Sequence, residues 1–224
     1  MSGQGPLLTT NWHQGEPYNN YCPMGDGGRC LVGCVALAAA QVMRYHRWPV
    51  LGKGDHDYMW DGDDSCGGST SGGNMSANFE IPYDWDHMPD DCEGGCSGTE
   101  QSALAWLCLT VGVSVDMDYG HCASTAYTYK LLTALPEYFR YDPTIDREER
   151  ADHSPDGWFD IVQEEIFHDR PMVYRIIGHA VVCDGWRIEG DLLEYHINYG
   201  WGGSHSGWYT IDHYTARRIP CRST

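Results

Sequence analysis

The run Val35-Ala36-Leu37-Ala38-Ala39-Ala40-Gln41-Val42-Met43 constrains the fold of this chain more than any other segment. It is built of strong helix formers without an internal breaker, Gly33 precedes it and Pro49 stops its continuation, so it predicts a helix from Cys34 to Tyr45. Its three consecutive alanines leave room for other elements on every side, which places the helix at the centre of the molecule. Residues 1–33, rich in Gly, Pro, Asn and Tyr, read as extended chain and loop, and residues 52–99 as loop whose Trp and Tyr side chains cover apolar surface. Further helices are expected from Glu100 to Thr110, from Ala126 to Phe139 with a break at Pro136, and from Trp158 to His168. The alternation from Val111 to Tyr119 reads as a strand. From Met172 onward the pattern is that of strands separated by Gly-rich turns: Val173 to Ile177, Ala180 to Cys183, Glu194 to Tyr199 and Trp208 to Ile211. Helices come early and strands late, with no repeat and no linker, which is the α+β pattern of a single domain.

Thirty-two acidic against 14 basic side chains give a formal charge of -18. Such a surface repels phosphate backbones and excludes a nucleic-acid partner. No apolar run reaches the roughly 18 residues of a membrane span, so no membrane partner is expected. The first residues show no basic start and no apolar core of a secretory leader. Ten cysteines nevertheless suggest an oxidising compartment. Cys108 and Cys183 lie in apolar runs and read as buried inert thiols. Cys22, Cys30, Cys66, Cys92, Cys96, Cys122 and Cys221 sit among Gly, Asp, Ser and Pro, where disulfides staple loops; with seven of them, at least one stays unpaired. A zinc site from Cys66, His87, Cys92 and Cys96, or a calcium site at Asp61-Gly62-Asp63-Asp64, has only weak spacing in its favour. Disulfides and a solvated loop are the expected explanation, with no metal and no cofactor.

Cys34 has a different setting. At the first turn of a helix, unpaired N–H groups and the helix dipole stabilise a thiolate. Position alone still favours a buried structural cysteine. His179 changes that balance, because Gly178-His179-Ala180 puts an imidazole at the start of an apolar strand, where a side chain is both rigid and accessible. Downstream, Asn198 ends a strand, and its amide oxygen is expected to orient the imidazole while Trp201, in the Gly-rich turn, covers the pair. A thiolate that attacks a carbonyl needs such a base to protonate the leaving group.

Papain-like enzymes place His and Asn about 130–150 residues after the nucleophilic Cys; here His179 follows Cys34 by 145 residues and Asn198 by 164. The local papain signature around the cysteine is absent. Five segments instead resemble the streptopain family: Gln14-Gly15-Glu16-Pro17-Tyr18-Asn19, Gly33-Cys34-Val35-Ala36 continuing to His46, Ser114 to Gly120, Gly178-His179-Ala180, and His196-Ile197-Asn198-Tyr199-Gly200-Trp201-Gly202-Gly203. The resemblance implies a papain-like fold with a helical lobe, mainly residues 30–140, and an antiparallel β lobe, mainly 141–224 with the N-terminal segment. It implies a secreted cysteine endopeptidase acting on polypeptides, with Cys34 as nucleophile and His179 as general base and acid. Gln14 would donate to the oxyanion beside the Cys34 N–H, Asn198 would orient His179, and Trp201 would shield them. Met117 and Ala180 would line the pocket for the side chain two residues before the cut.

An inhibitory propeptide or inhibitor protein is the further partner the family implies, and the chain looks like a mature catalytic domain. It departs from the family at Tyr199, which stands for a Trp, at Ile177, which stands for a Gly, in a shorter stretch between Pro171 and Gly178, in a short tail after Ile211 that Cys221 is expected to pin, and in its many cysteines. The rival readings are a disulfide-rich or metal-binding module without catalysis, and a papain-like amidase acting on a non-protein amide.

Overall fold

The structure is a computed structural model that describes residues 2–210 and the backbone of residues 217–220. In chain order the elements are β1 (Ser2–Gln4), β2 (Met24–Gly25), β3 (Gly28–Arg29), α1 (Cys34–His46), β4 (Asp55–Asp63), β5 (Thr70–Asn78), α2 (Gly98–Ser114), α3 (Leu131–Phe139), β6 (Glu148–Glu149), α4 (Pro155–Phe167), β7 (Met172–Ile176), β8 (His179–Glu189), β9 (Leu192–Asn198), β10 (Gly207–Tyr209) and β11 (Arg217–Pro220). The main sheet is antiparallel in the order β10-β9-β8-β7-β11-β6, and β1 pairs with β8 beyond the end of β7. Helices gathered against one antiparallel sheet make the architecture α+β.

Strand periodicity divides the sheet between two apolar clusters. Val173, Ala180 and Val182 face α1, whereas Tyr174, Val181 and Cys183 face the other way, onto Trp158, Phe159, Val162 and Ile166 of α4. Helix α1 is central, as its alanines require: every residue from Val35 to Met43 is buried. On its far side it packs against α2, whose Leu104, Leu107, Cys108 and Val111 are buried. Cys108 and Cys183 are both buried, as their apolar runs imply.

Several elements differ from the sequence expectation, each for a physical reason. Helix α2 begins with a capping box, in which the Ser97 hydroxyl accepts from Glu100 N–H and the Glu100 carboxylate accepts from Ser97 N–H. It runs on through Val111 to Ser114, where a strand was expected, because that stretch is wholly buried against the core. Gly112 lets the Tyr119 hydroxyl lie where a Cβ would stand, and the chain leaves the helix at Asp116 with φ +48°. Pro136 does not break α3; burial of Leu131, Ala134, Leu135 and Phe139 offsets the one backbone hydrogen bond it removes. Helix α3 is preceded by a 3-10 turn at Thr128–Lys130 rather than beginning at Ala126.

The stretch 52–99, expected as loop, holds the nine-residue strands β4 and β5. In β4 the alternation sets His and aromatic residues against mostly acidic ones instead of aliphatic against polar, and β5 is made largely of Gly, Ser and Asn, so neither reads as a strand. Trp60, Tyr83 and Trp85 in this stretch are buried. The expected strand Trp208 to Ile211 appears as β10; Ile211 and Cys221 lie outside the described residues.

Cys66 is bonded to Cys122 and Cys92 to Cys96, so the cysteines of the zinc alternative are taken up by disulfides. Cys22 and Cys30, expected as staples, are buried free thiols flanking the β2–β3 hairpin, where burial pushes both thiols up. Asp63 of the acidic loop is buried and bound by Ser65 and His121.

Candidate active site

Cys34 is the first residue of α1 and is half-buried and unpaired. Gly33, at φ +87°, turns the chain into the helix; a Cβ there would lie 2.6 Å from the Met117 sulfur. Val32 N–H donates to the Gln14 carbonyl at 3.0 Å, which fixes the N-terminal segment two residues upstream of the thiol. Gln14, Cys34, His179, Ala180 and Trp201 line one cavity of about 720 Å³. The backbone N–H groups of Ala180, Val35 and Cys34 face the sulfur. Because Ala180 directly follows His179, this brings the imidazole and the thiol to the same end of the cavity.

His179 opens β8, and its Nε2 lies 2.9 Å from the Tyr199 carbonyl oxygen. A carbonyl only accepts, so Nε2 carries the proton and Nδ1 is left as the basic nitrogen. Here the sequence expectation needs correcting. Asn198 does not orient the imidazole: its amide nitrogen donates to the Thr10 carbonyl at 2.7 Å, and its oxygen accepts from Gly200 N–H at 3.0 Å. Asn198 instead shapes the turn that aims the neighbouring Tyr199 carbonyl. No residue-type signal marks a backbone acceptor, so sequence reasoning could find only the residue beside it. Trp201, 42% exposed, has its ring centroid 4.8 Å from that of His179, and Tyr199 stacks on the imidazole at 5.8 Å. Both rings thus lie against the imidazole. Gly202 N–H donates to the Trp12 carbonyl at 3.0 Å, so the turn beneath His179 and the segment carrying Gln14 form one platform.

Met117 is the second correction. It is 0% exposed and packs beneath Gly33, while its neighbours Asp116 and Asp118 line the cavity in its place. Ala180 does line it.

The protonation preferences oppose each other. Burial pushes the Cys34 thiol up, and the nearby backbone N–H groups and the Arg175 charge pull it back only in part. Burial likewise lowers the His179 imidazole, against the Tyr199 carbonyl, which favours its charged form. Burial thus works against the thiolate that the helix terminus favours, and against the imidazolium beside it.

The opposite cavity wall, residues 122–128, is held by the β4 strand and the bend after it, a feature the sequence did not reveal. Along one face of that strand His56 donates to Asp116 at 2.6 Å, Tyr58 to the Met117 carbonyl at 2.5 Å and Trp60 to the Tyr119 carbonyl at 3.0 Å. Farther on, His121 donates to Asp63 at 2.5 Å, Cys122 N–H donates to Ser65, and Cys66 bonds Cys122. Burial would raise the Asp63 carboxyl, but the hydrogen bonds from Ser65 and His121 outweigh it and hold the group well below the usual carboxylate range.

Residues 12–209 match the model of the peptidase C10 family. The chain is 33% identical over 212 residues to the thiol protease/hemagglutinin PrtT of Porphyromonas gingivalis, which covers 92% of this chain and 23% of PrtT. It is 31% identical over 217 residues to streptopain of Streptococcus pyogenes, covering 90% of this chain and 53% of streptopain. The chain thus spans about a quarter of the one relative and about half of the other. The solved structure of active interpain A cysteine protease from Prevotella intermedia matches with a TM-score of 0.85 at 33% identity, over 97% of this chain and 94% of that one. A prointerpain A fragment matches with the same TM-score of 0.85 at 32% identity, over 97% and 71%. The α+β architecture is therefore the papain-like one of these proteases. A family match across that span, with the fold shared at one-third identity, makes this chain a member of the peptidase C10 family of cysteine peptidases.

Proposed function

We propose that the chain is the catalytic domain of a secreted cysteine endopeptidase that cleaves polypeptides through a thioester. The observation that carries this reading is an unpaired Cys34 at the α1 N-terminus, sharing one open cavity with an imidazole whose Nε2 is already engaged. His179 Nδ1 takes the Cys34 proton as the sulfur attacks the scissile carbonyl. The resulting oxyanion accepts from the Gln14 side-chain amide and the Cys34 N–H; Gln14 has no side-chain partner among the described residues and lines the cavity. The imidazolium then gives its proton to the departing amine, leaving an acyl thioester. Water, deprotonated by the same nitrogen, releases the acid and restores the thiol. Asn198 and Trp201 are positioning residues, acting through the Tyr199 turn and by excluding water.

The prointerpain A fragment supports an upstream inhibitory propeptide as the partner, and the disulfides support an oxidising, extracellular setting. Cys34→Ala is expected to abolish casein hydrolysis and labelling by iodoacetamide at the site, and Gln14→Ala to lower kcat/KM by roughly 10²–10³. Casein turnover by the Cys34→Ala protein would overturn the reading.

A further inference from the structure

Arg175 is a charged group of the cavity that the mechanism above does not use. It stands near the end of β7, in register with Ala180 on β8, and directly paired residues on antiparallel strands project from the same face. On β7, Val173 packs toward α1 while Tyr174 and Ile176 pack toward α4, so Arg175 shares the α1 face with Val173. That face at that strand end is the cavity beside Cys34, and Arg175 lines it, exposed.

The other charges of the cavity differ in their engagement. The Lys130 ammonium is 2.8 Å from Asp116, and Asp116 also accepts from His56, so both are satisfied. Arg175 has no carboxylate partner among the described residues. Asp118 is also unpaired, but it belongs to the wall held by β4. Arg175 instead stands on the sheet, directly paired with Ala180, the residue after His179, and its charge favours the Cys34 thiolate.

Resting on the peptidase reading, we propose that Arg175 is a specificity-determining residue that selects substrates carrying an aspartate or glutamate within two residues of the scissile bond. A guanidinium offers a planar fork of donors that matches a carboxylate in two parallel hydrogen bonds. A substrate strand advances about 3.4 Å per residue, so only side chains close to the cut come within its reach. The formal charge of -18 opposes acidic substrates at long range, but that repulsion is screened beyond about 8 Å at physiological salt, whereas a direct contact is not.

The test uses the whole chain, a positional-scanning peptide library, and matched peptides bearing Glu, Gln, Leu or Lys at the selected position. The wild type is expected to cleave the Glu peptide about 10- to 100-fold faster in kcat/KM than the Gln peptide. Arg175→Gln should collapse that ratio to near one, and Arg175→Glu should invert it in favour of Lys. A wild type that favours Leu or Lys overturns the proposal, the latter pointing to Asp118. An equal loss on all four peptides in Arg175→Gln also overturns it, since that marks an effect on the thiol alone. Casein hydrolysis by the wild type, blocked by iodoacetamide, reads the peptidase activity separately. If that fails, the peptidase reading falls and this proposal with it; if only the Glu preference fails, the peptidase reading stands.

Discussion

At the residue scale the chemistry is concentrated in two groups whose burial drives them in opposite directions. On the proposed mechanism the Cys34–His179 pair acts with one proton between them, and its two titrations belong to the pair. Burial lowers the imidazole from its ordinary 6.5, so a second proton arrives only below that pH. It raises the thiol from its ordinary 9.0, so the last proton leaves only above that pH. The kcat/KM profile for an uncharged peptide is therefore expected to be a broad bell, its acid limb centred below 6.5 and its alkaline limb above 9. Stopped-assay rates across pH 4 to about 10.5 check this; an acid limb above neutrality would contradict a buried neutral imidazole. Cys34 and His179 drew attention through residue type and local setting, and Gln14 through the family resemblance; the structure places all three on one cavity. The Tyr199 carbonyl was not legible, since any residue could supply it, and Asn198 drew attention through a side chain that is used elsewhere.

At the scale of elements, the β4–β5 hairpin is the part that sequence reading lost. Its inner face carries His56, Tyr58 and Trp60 and its outer face Asp55, Asp57 and an exposed Met59, an alternation in which both sets carry polar atoms. What the hairpin does is equally non-local: it holds a cavity wall some 60 residues away, through partners as distant as His56 and Asp116. Removing its covalent tie with Cys66→Ser and Cys122→Ser together releases a constraint between residues 56 apart. In the chain-entropy model that costs about 4 kcal/mol of stability. The melting temperature should fall, and KM should rise more than kcat falls, because Cys34 and His179 stand on α1 and β8 rather than on this wall. Thermal unfolding and steady-state kinetics on the double variant test both; an unchanged KM would show that the Asp63–His121 and Ser65–Cys122 contacts hold the wall unaided.

At the scale of the molecule, the charge of -18 produces a field that every substrate meets before it reaches the cavity. Raising the salt from about 0.01 to 0.5 M shrinks the Debye length from about 30 Å to a few ångströms. Peptides with basic residues far from the cut should then lose kcat/KM, those with acidic residues there should gain, and neutral ones should stay level. A uniform response across all three would rule out steering. The α+β class, the central helix and the order of Cys34 before His179 were decided by the chain itself, through an alanine run suited to a buried helix and through residue types that stand out in their local settings. Which atom holds the imidazole, which wall faces the sulfur and which charge stands beside it were decided only on folding. Those relations join residues from strands, turns and loops far apart in the chain, and local propensity carries no information about distance in space.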